Sequence, residues 1–291
     1  MKIGLQLSRF NWEGTPENTG EKLADIVRTA DEAGFSSIWT MDHFFQISPM
    51  LGAVDDPMLE AYTMLGFIAA NTKRAKIGTL VAGVFYREPA LLLKAVTTLD
   101  VLSGGRAYFG LGAGWYEREA IGLGFPLPSV KERFERLEDT LRFTKHVWSN
   151  NREPFEGKHY KMKEPIFSPQ PLSKPHPPIL VGGGGEKKTL RFVAQYADAC
   201  NVFATHGVAS VAHKFKVLRQ HCDDIGRNYD EIEKTVMGVT QFGKGMQKAS
   251  DVLEHLSELE DMGCDHFIYH FPGFEDTDAL KRFGDEVIAQ Q

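Results

Sequence analysis

The chain has 291 residues, of which 42% are hydrophobic and 25% charged, an ordinary globular balance that allows a large core. A formal net charge of -6 leaves no basic surplus, so neither nucleic acid nor an anionic bilayer is expected as a partner. No apolar run approaches the roughly 18 to 20 residues that span a membrane. The amino terminus reads as an alternating strand and not as a signal peptide, and a cytoplasmic protein is expected.

Periodicity opens the chain with a strand over Ile3 to Leu7, then a helix with Leu23, Ile26, Val27 and Ala30 on one face. Gly34 stands where a left-handed helix end is wanted. The same beat recurs at Ile38 to Met41 with Glu60 to Asn71, and at Lys76 to Ala82 with Ala90 to Leu102. A fourth strand, Ala107 to Leu111, leads through a glycine-rich turn to a helix opened by Ser129, with Glu132 placed for a capping box.

The proline-rich stretch 152–178, with a hairpin pattern around Gly157, is an insertion in the barrel wall and not a domain boundary. Four more units follow: Ile179 to Val181 with Leu190 to Ala194, Ala199 to Phe203 with Phe215 and Leu218, Thr235 to Thr240 with Val252 to Leu259, and His266 to Phe271 with Ala279 to Val287. Eight strand–helix units predict an α/β fold, a single (β/α)₈ barrel domain over residues 1–291. A doubly wound sheet is the rival, and the absence of GxGxxG after the first strand disfavours it.

Barrel enzymes work at the carboxyl ends of their strands, which directs attention to Gln6, Asp42, His43, Thr79, Leu80, Val81, Gly112 to Trp115, Gly182 to Glu186, Asn201 and His270. The run Gly182, Gly183, Gly184, Gly185 removes every side chain between a strand and a helix, so backbone N–H groups can close on a phosphate. A tight turn would need only one or two glycines. Lys187, Lys188 and Arg191, just downstream, could supply further positive charge, though for at least two of them a solvated helix face is the simpler reading. Gly112, Ala113 and Gly114 also admit a ligand near the backbone, and Trp115 offers a flat apolar surface, though an isolated tryptophan is about as often a core residue.

His43, at a strand end beside Asp42, is the candidate proton carrier, against the alternative of a packed histidine. No HxH, HExxH or clustered carboxylates mark a metal site, and none is expected. Cys200, Cys222 and Cys264 are too far apart for a CxxC pair and read as reduced thiols.

The blocks Trp39-Thr40-Met41-Asp42-His43, Gly83-Val84-Phe85-Tyr86-Arg87, Leu99-Asp100-Val101-Leu102-Ser103-Gly104-Gly105-Arg106, Gly112-Ala113-Gly114-Trp115, Pro177 to Glu186 and Tyr196-Ala197-Asp198-Ala199-Cys200-Asn201 together resemble the luciferase-like flavin and deazaflavin oxidoreductases. Within that family the chain resembles the branch dependent on coenzyme F420. The resemblance implies a barrel whose strand ends hold a deazaflavin or flavin ring. It assigns cofactor contacts to Gln6, Thr79, Leu80, Val81, Gly112, Ala113, Gly114, Trp115, Gly182, Gly183, Gly184, Gly185, Glu186 and Asn201, and catalysis to His43 with Asp42. It also implies a non-proline cis peptide on the third strand, at Leu80-Val81 by position.

Several members pair the histidine with a glutamate soon after strand four. Where the sugar-phosphate dehydrogenases carry that glutamate this chain has Trp115, and Glu119 is the nearby acid. The expected function is hydride transfer between coenzyme F420 and a small organic substrate. The alternatives are an FMN-dependent monooxygenase and a non-catalytic flavin-binding protein. A homodimer is the expected assembly.

Overall fold

The alternating pattern is realised in the computed structural model, which describes residues 1–205, 207–239 and 247–291. Strand β1 (Lys2–Leu7) buries five of its six residues, as a parallel strand covered on both faces requires. It lies between β2 (Ser37–Thr40) and β11 (His266–His270), both parallel to it. The sheet continues through β10 (Glu233–Val239), β9 (Ala199–Phe203) and β8 (Ile179–Gly182) to β5 (Phe109–Gly112). The two ends of its order are β3 (Lys76–Thr79) and β4 (Ala82–Gly83), two pieces of one stave. Both pieces meet β5, through an Ile77–Ala107 bridge and through Ala82 opposite Leu111. Among the described residues the nine strands therefore make eight staves of a closed α/β barrel, as the alternation predicts. The expected seventh strand agrees as far as Val239; Thr240 lies outside the described residues.

The outer layer consists of α1 (Thr19–Glu32), α2 (Ala61–Asn71), α3 (Pro89–Leu102), α5 (Val130–Trp148), α6 (Thr189–Tyr196), α7 (Val208–Ile225), α8 (Ala249–Asp261) and α9 (Thr277–Glu286). Each turns an apolar face to the staves. In α1 that face is Leu23, Ile26, Val27 and Ala30, all buried, and Gly34 follows with φ 94°. Ser129 caps α5 by accepting from the Glu132 N–H at 3.3 Å. Glu132 does not complete the predicted capping box; its carboxylate instead takes two hydrogen bonds from Arg136, a pairing one helical turn away that also neutralises it.

One element departs from the expected pattern. Residues 117–122 form a short helix, α4 (Glu117–Gly122), inside what reads in sequence as a plain glycine-rich turn. The insertion carries the antiparallel pair β6 (Phe155–Glu156) and β7 (Lys161–Met162) around Gly157, as expected of a hairpin. Asp139 of α5 accepts from the His159 N–H at 2.6 Å, which pins that hairpin to the barrel wall. The carboxyl ends of all eight staves open on one side of the molecule, around a cavity of about 1050 Å³.

Candidate active site

The third stave is interrupted by a cis peptide between Leu80 and Val81, where the resemblance implies one. Both residues line the cavity. The Val81 side chain points between the two glycine-bearing strand ends. A Cβ at Gly112 would stand 2.7 Å from Val81 Cγ2, and one at Gly182 would stand 2.8 Å from Val81 Cγ1. These two glycines are therefore needed to seat Val81, a packing role alongside any contact they make with a ligand. Thr79 is buried, and its hydroxyl donates to the Gly110 carbonyl at 2.9 Å.

His43 follows β2 and its side chain is 14% exposed. Its Nδ1 lies 2.9 Å from Glu119 Oε1. The same carboxylate accepts from the Phe45 N–H at 2.7 Å, from the Phe44 N–H and from the Tyr86 hydroxyl. Glu119 is fully buried on α4. Although burial pushes its carboxyl up, the hydrogen bonds from His43, Tyr86 and Phe45 outweigh it, and the group lies below the ordinary carboxylate value. An ionised carboxylate only accepts, so His43 carries its proton on Nδ1 toward Glu119. In the neutral ring that leaves Nε2 with a lone pair. The His43 ring also meets Trp115 edge-on at 5.8 Å, and Trp115 stacks on Tyr116 at 5.0 Å.

Asp42 takes a different part. Its carboxylate accepts two hydrogen bonds from Arg87 Nη1, at 2.9 and 2.8 Å, and one from the Gly83 N–H at 3.1 Å. Arg87 reaches on to Glu60 at 2.5 Å, and these two acids hold the guanidinium above its ordinary pKa against the opposing effect of burial. Asp42 thus ties the end of β2 to β4 and to the cap of α2; burial pushes its carboxyl above the ordinary value, against the lowering effect of Arg87, the Gly83 N–H and His43. Arg87 and Tyr86 lie in the block Gly83 to Arg87; no sequence signal shows that their partners are Asp42 and Glu119.

The glycine run is split. Gly182 and Gly183 line the cavity, and the Gly183 N–H donates to the Asn201 carbonyl at 2.9 Å. Gly184, Gly185 and Glu186 are not part of the lining. A turn over residues 186–188 separates the run from α6, which begins at Thr189, so the run reaches the helix start through Thr189 and not directly. Glu186 accepts from Lys214 at 2.5 Å and lies 3.1 Å from His213. Lys188 lies over the Phe134 ring at 5.1 Å, Arg191 over Phe192 at 5.5 Å, and Lys187 is exposed.

On the opposite wall, Gln6 and His270 are paired in register across β1 and β11. Both are buried and line the cavity, and Gln6 Oε1 and His270 Nδ1 have no hydrogen-bond partner among the described residues. Asn201 donates to the Thr235 hydroxyl at 2.8 Å. Gly112, Ala113, Gly114 and Trp115 complete the lining between the glycine run and His43.

Known proteins share the sequence pattern and the fold. The family model described as luciferase-like monooxygenase matches residues 1–284. A protein of Kineococcus radiotolerans named F420-dependent glucose-6-phosphate dehydrogenase is 33% identical, over 92% of this chain and 92% of its own. The fold is shared with a coenzyme F420 dependent tetrahydromethanopterin reductase from Methanopyrus kandleri, with TM-score 0.80 and 17% identity over 99% of each chain. It is also shared with a monooxygenase from Streptomyces bottropensis, with TM-score 0.82 and 17% identity over 100% of this chain and 99% of that one. This chain belongs to the luciferase-like monooxygenase family.

Proposed function

We propose that the chain is an oxidoreductase that moves a hydride between coenzyme F420 and a small organic substrate, with His43 exchanging the accompanying proton. The residues present suit such a cofactor. Gly182 and Gly183 give side-chain-free backbone at one wall, Leu80 and Val81 form a raised floor, and the cavity is large enough for a tricyclic ring. The 33%-identical relative is named for the same coenzyme. Bound coenzyme F420 supplies a ring that takes or gives a hydride.

The observation that carries the reading is the His43–Glu119 pair. Glu119 fixes the tautomer and plane of the imidazole, which leaves Nε2 to take a proton from a substrate hydroxyl or return one to a carbonyl. Gly112 to Gly114 bring backbone to the ring's edge, and Asp42 with Arg87 keeps the β2 end, and hence His43, in place. His43→Ala is expected to lower turnover roughly 10² to 10⁴-fold while cofactor affinity stays within about threefold. Glu119→Gln is expected to fall nearly as far, and the double variant no further than His43→Ala alone, because the two groups act as one unit. Unchanged turnover in His43→Ala would remove the assignment. A monooxygenase would use the same cradle, and its mark is oxygen consumed with substrate, whereas the proposed reaction runs anaerobically.

A further inference from the structure

We propose that the substrate is an uncharged, largely apolar alcohol or carbonyl compound and not a phosphorylated sugar; this rests on the hydride-transfer reading above and specifies its second partner. The cavity is lined by Ile47, Met50 and Leu51 of the segment after β2, Trp115 after β5, Phe203 ending β9 and Val239 ending β10. Four of these are conspicuously open: Met50 is 77% exposed, Val239 59%, Trp115 57% and Phe203 48%. Large apolar side chains gathered round a single concave mouth mark a surface that gains stability when an apolar ligand covers it.

The charge inventory points the same way. Apart from histidines, the charged lining residues among those described are Arg9 and Asp42. Asp42 is already satisfied by Arg87. Arg9 is therefore the one lysine or arginine in the lining among the described residues, and a phosphate monoester near two negative charges wants several charge-assisted bonds to repay its desolvation. Of the cations around the glycine run, Lys214 is paired with Glu186 and Lys188 lies over the Phe134 ring, while Lys187 is exposed and outside the lining. A single reacting oxygen needs less, one hydrogen bond to His43 Nε2.

In the oxidative direction the substrate C–H bond breaks with its electron pair leaving as hydride to coenzyme F420, which is reduced by two electrons. The substrate O–H proton passes to His43 Nε2, and the C–O bond becomes C=O. In the reverse direction the same atoms return.

The test is binding of unbranched methyl ketones, from acetone upward in chain length, to protein with and without coenzyme F420, followed by calorimetry, with glucose 6-phosphate as the charged comparison. The dissociation constant is expected to fall roughly threefold to fourfold per added methylene. Glucose 6-phosphate is expected to bind more weakly than the longer ketones. Met50→Asp should flatten the chain-length dependence, and Met50→Leu should restore it. A dissociation constant independent of chain length, or tighter binding of glucose 6-phosphate, would overturn the substrate class. Failure of the protein to take up coenzyme F420 strikes the cofactor reading instead, and the chain-length series on cofactor-free protein still decides the substrate class.

Discussion

His270 shows how one side chain can be held against its own chemistry. It ends β11, is 4% exposed, and faces a cavity that also holds the Arg9 guanidinium. Burial first, and then the positive charge of Arg9, lower its pKa from the ordinary 6.5 to about 4. The unfolded ring takes a proton near 6.5 while the folded ring resists until about 4, so between those values the unfolded chain binds more protons. Stability is therefore fully present above pH 6.5 and declines as pH falls toward 4, by about 3 kcal/mol across the window. His270→Gln should remove that decline. Urea unfolding of both proteins at a series of pH values measures it, and parallel profiles would contradict the burial account. His270 was visible in the sequence as a strand-end residue, as were His43 and Asp42. Arg87 as the partner of Asp42 was not, and Glu119, 76 residues from His43, was indicated only by the family resemblance, as the acid near the strand-four position.

At the scale of elements, the eight strand–helix units were legible because buried parallel strands and amphipathic helices leave different periods in the sequence. What the periods do not record is local packing. The break of the third stave at Leu80 and Val81 has no period of its own, and only the family resemblance pointed to it. The short helix α4 was missed because six residues, three of them charged, are too few to show an apolar stripe, yet it is the helix that carries Glu119. The glycine run was read as meeting a helix directly, and the turn over 186–188 intervenes because Leu190 N–H closes back on the Gly185 carbonyl at 3.0 Å. Joints between elements are fixed by similar side-chain bonds. Asp31, near the end of α1, accepts from the N–H groups of Lys73, Arg74 and Ala75 at 2.9, 3.1 and 2.7 Å, the segment that leads into β3. Asp31→Ala leaves three backbone donors short of a partner and is expected to cost about 3 kcal/mol. A loss below about 1 kcal/mol by thermal or urea unfolding would show that water replaces the carboxylate there.

For the whole molecule, the barrel turns a chain-wide alternation into one mouth, and staves far apart in sequence divide the labour. The β8 side offers bare backbone, the third stave Leu80 and Val81, the β2 side the proposed proton carrier His43, and the β1–β11 side buried polar groups without partners among the described residues. Family membership follows from the match over residues 1–284, whereas the choice of cofactor turns on how this mouth is filled. The most direct measurement is a competitive titration of the purified protein with coenzyme F420 and FMN, followed by absorbance and fluorescence. The account predicts that coenzyme F420 binds at least roughly tenfold more tightly, a difference of about 1.4 kcal/mol. Preference for FMN, or binding of neither, would contradict it.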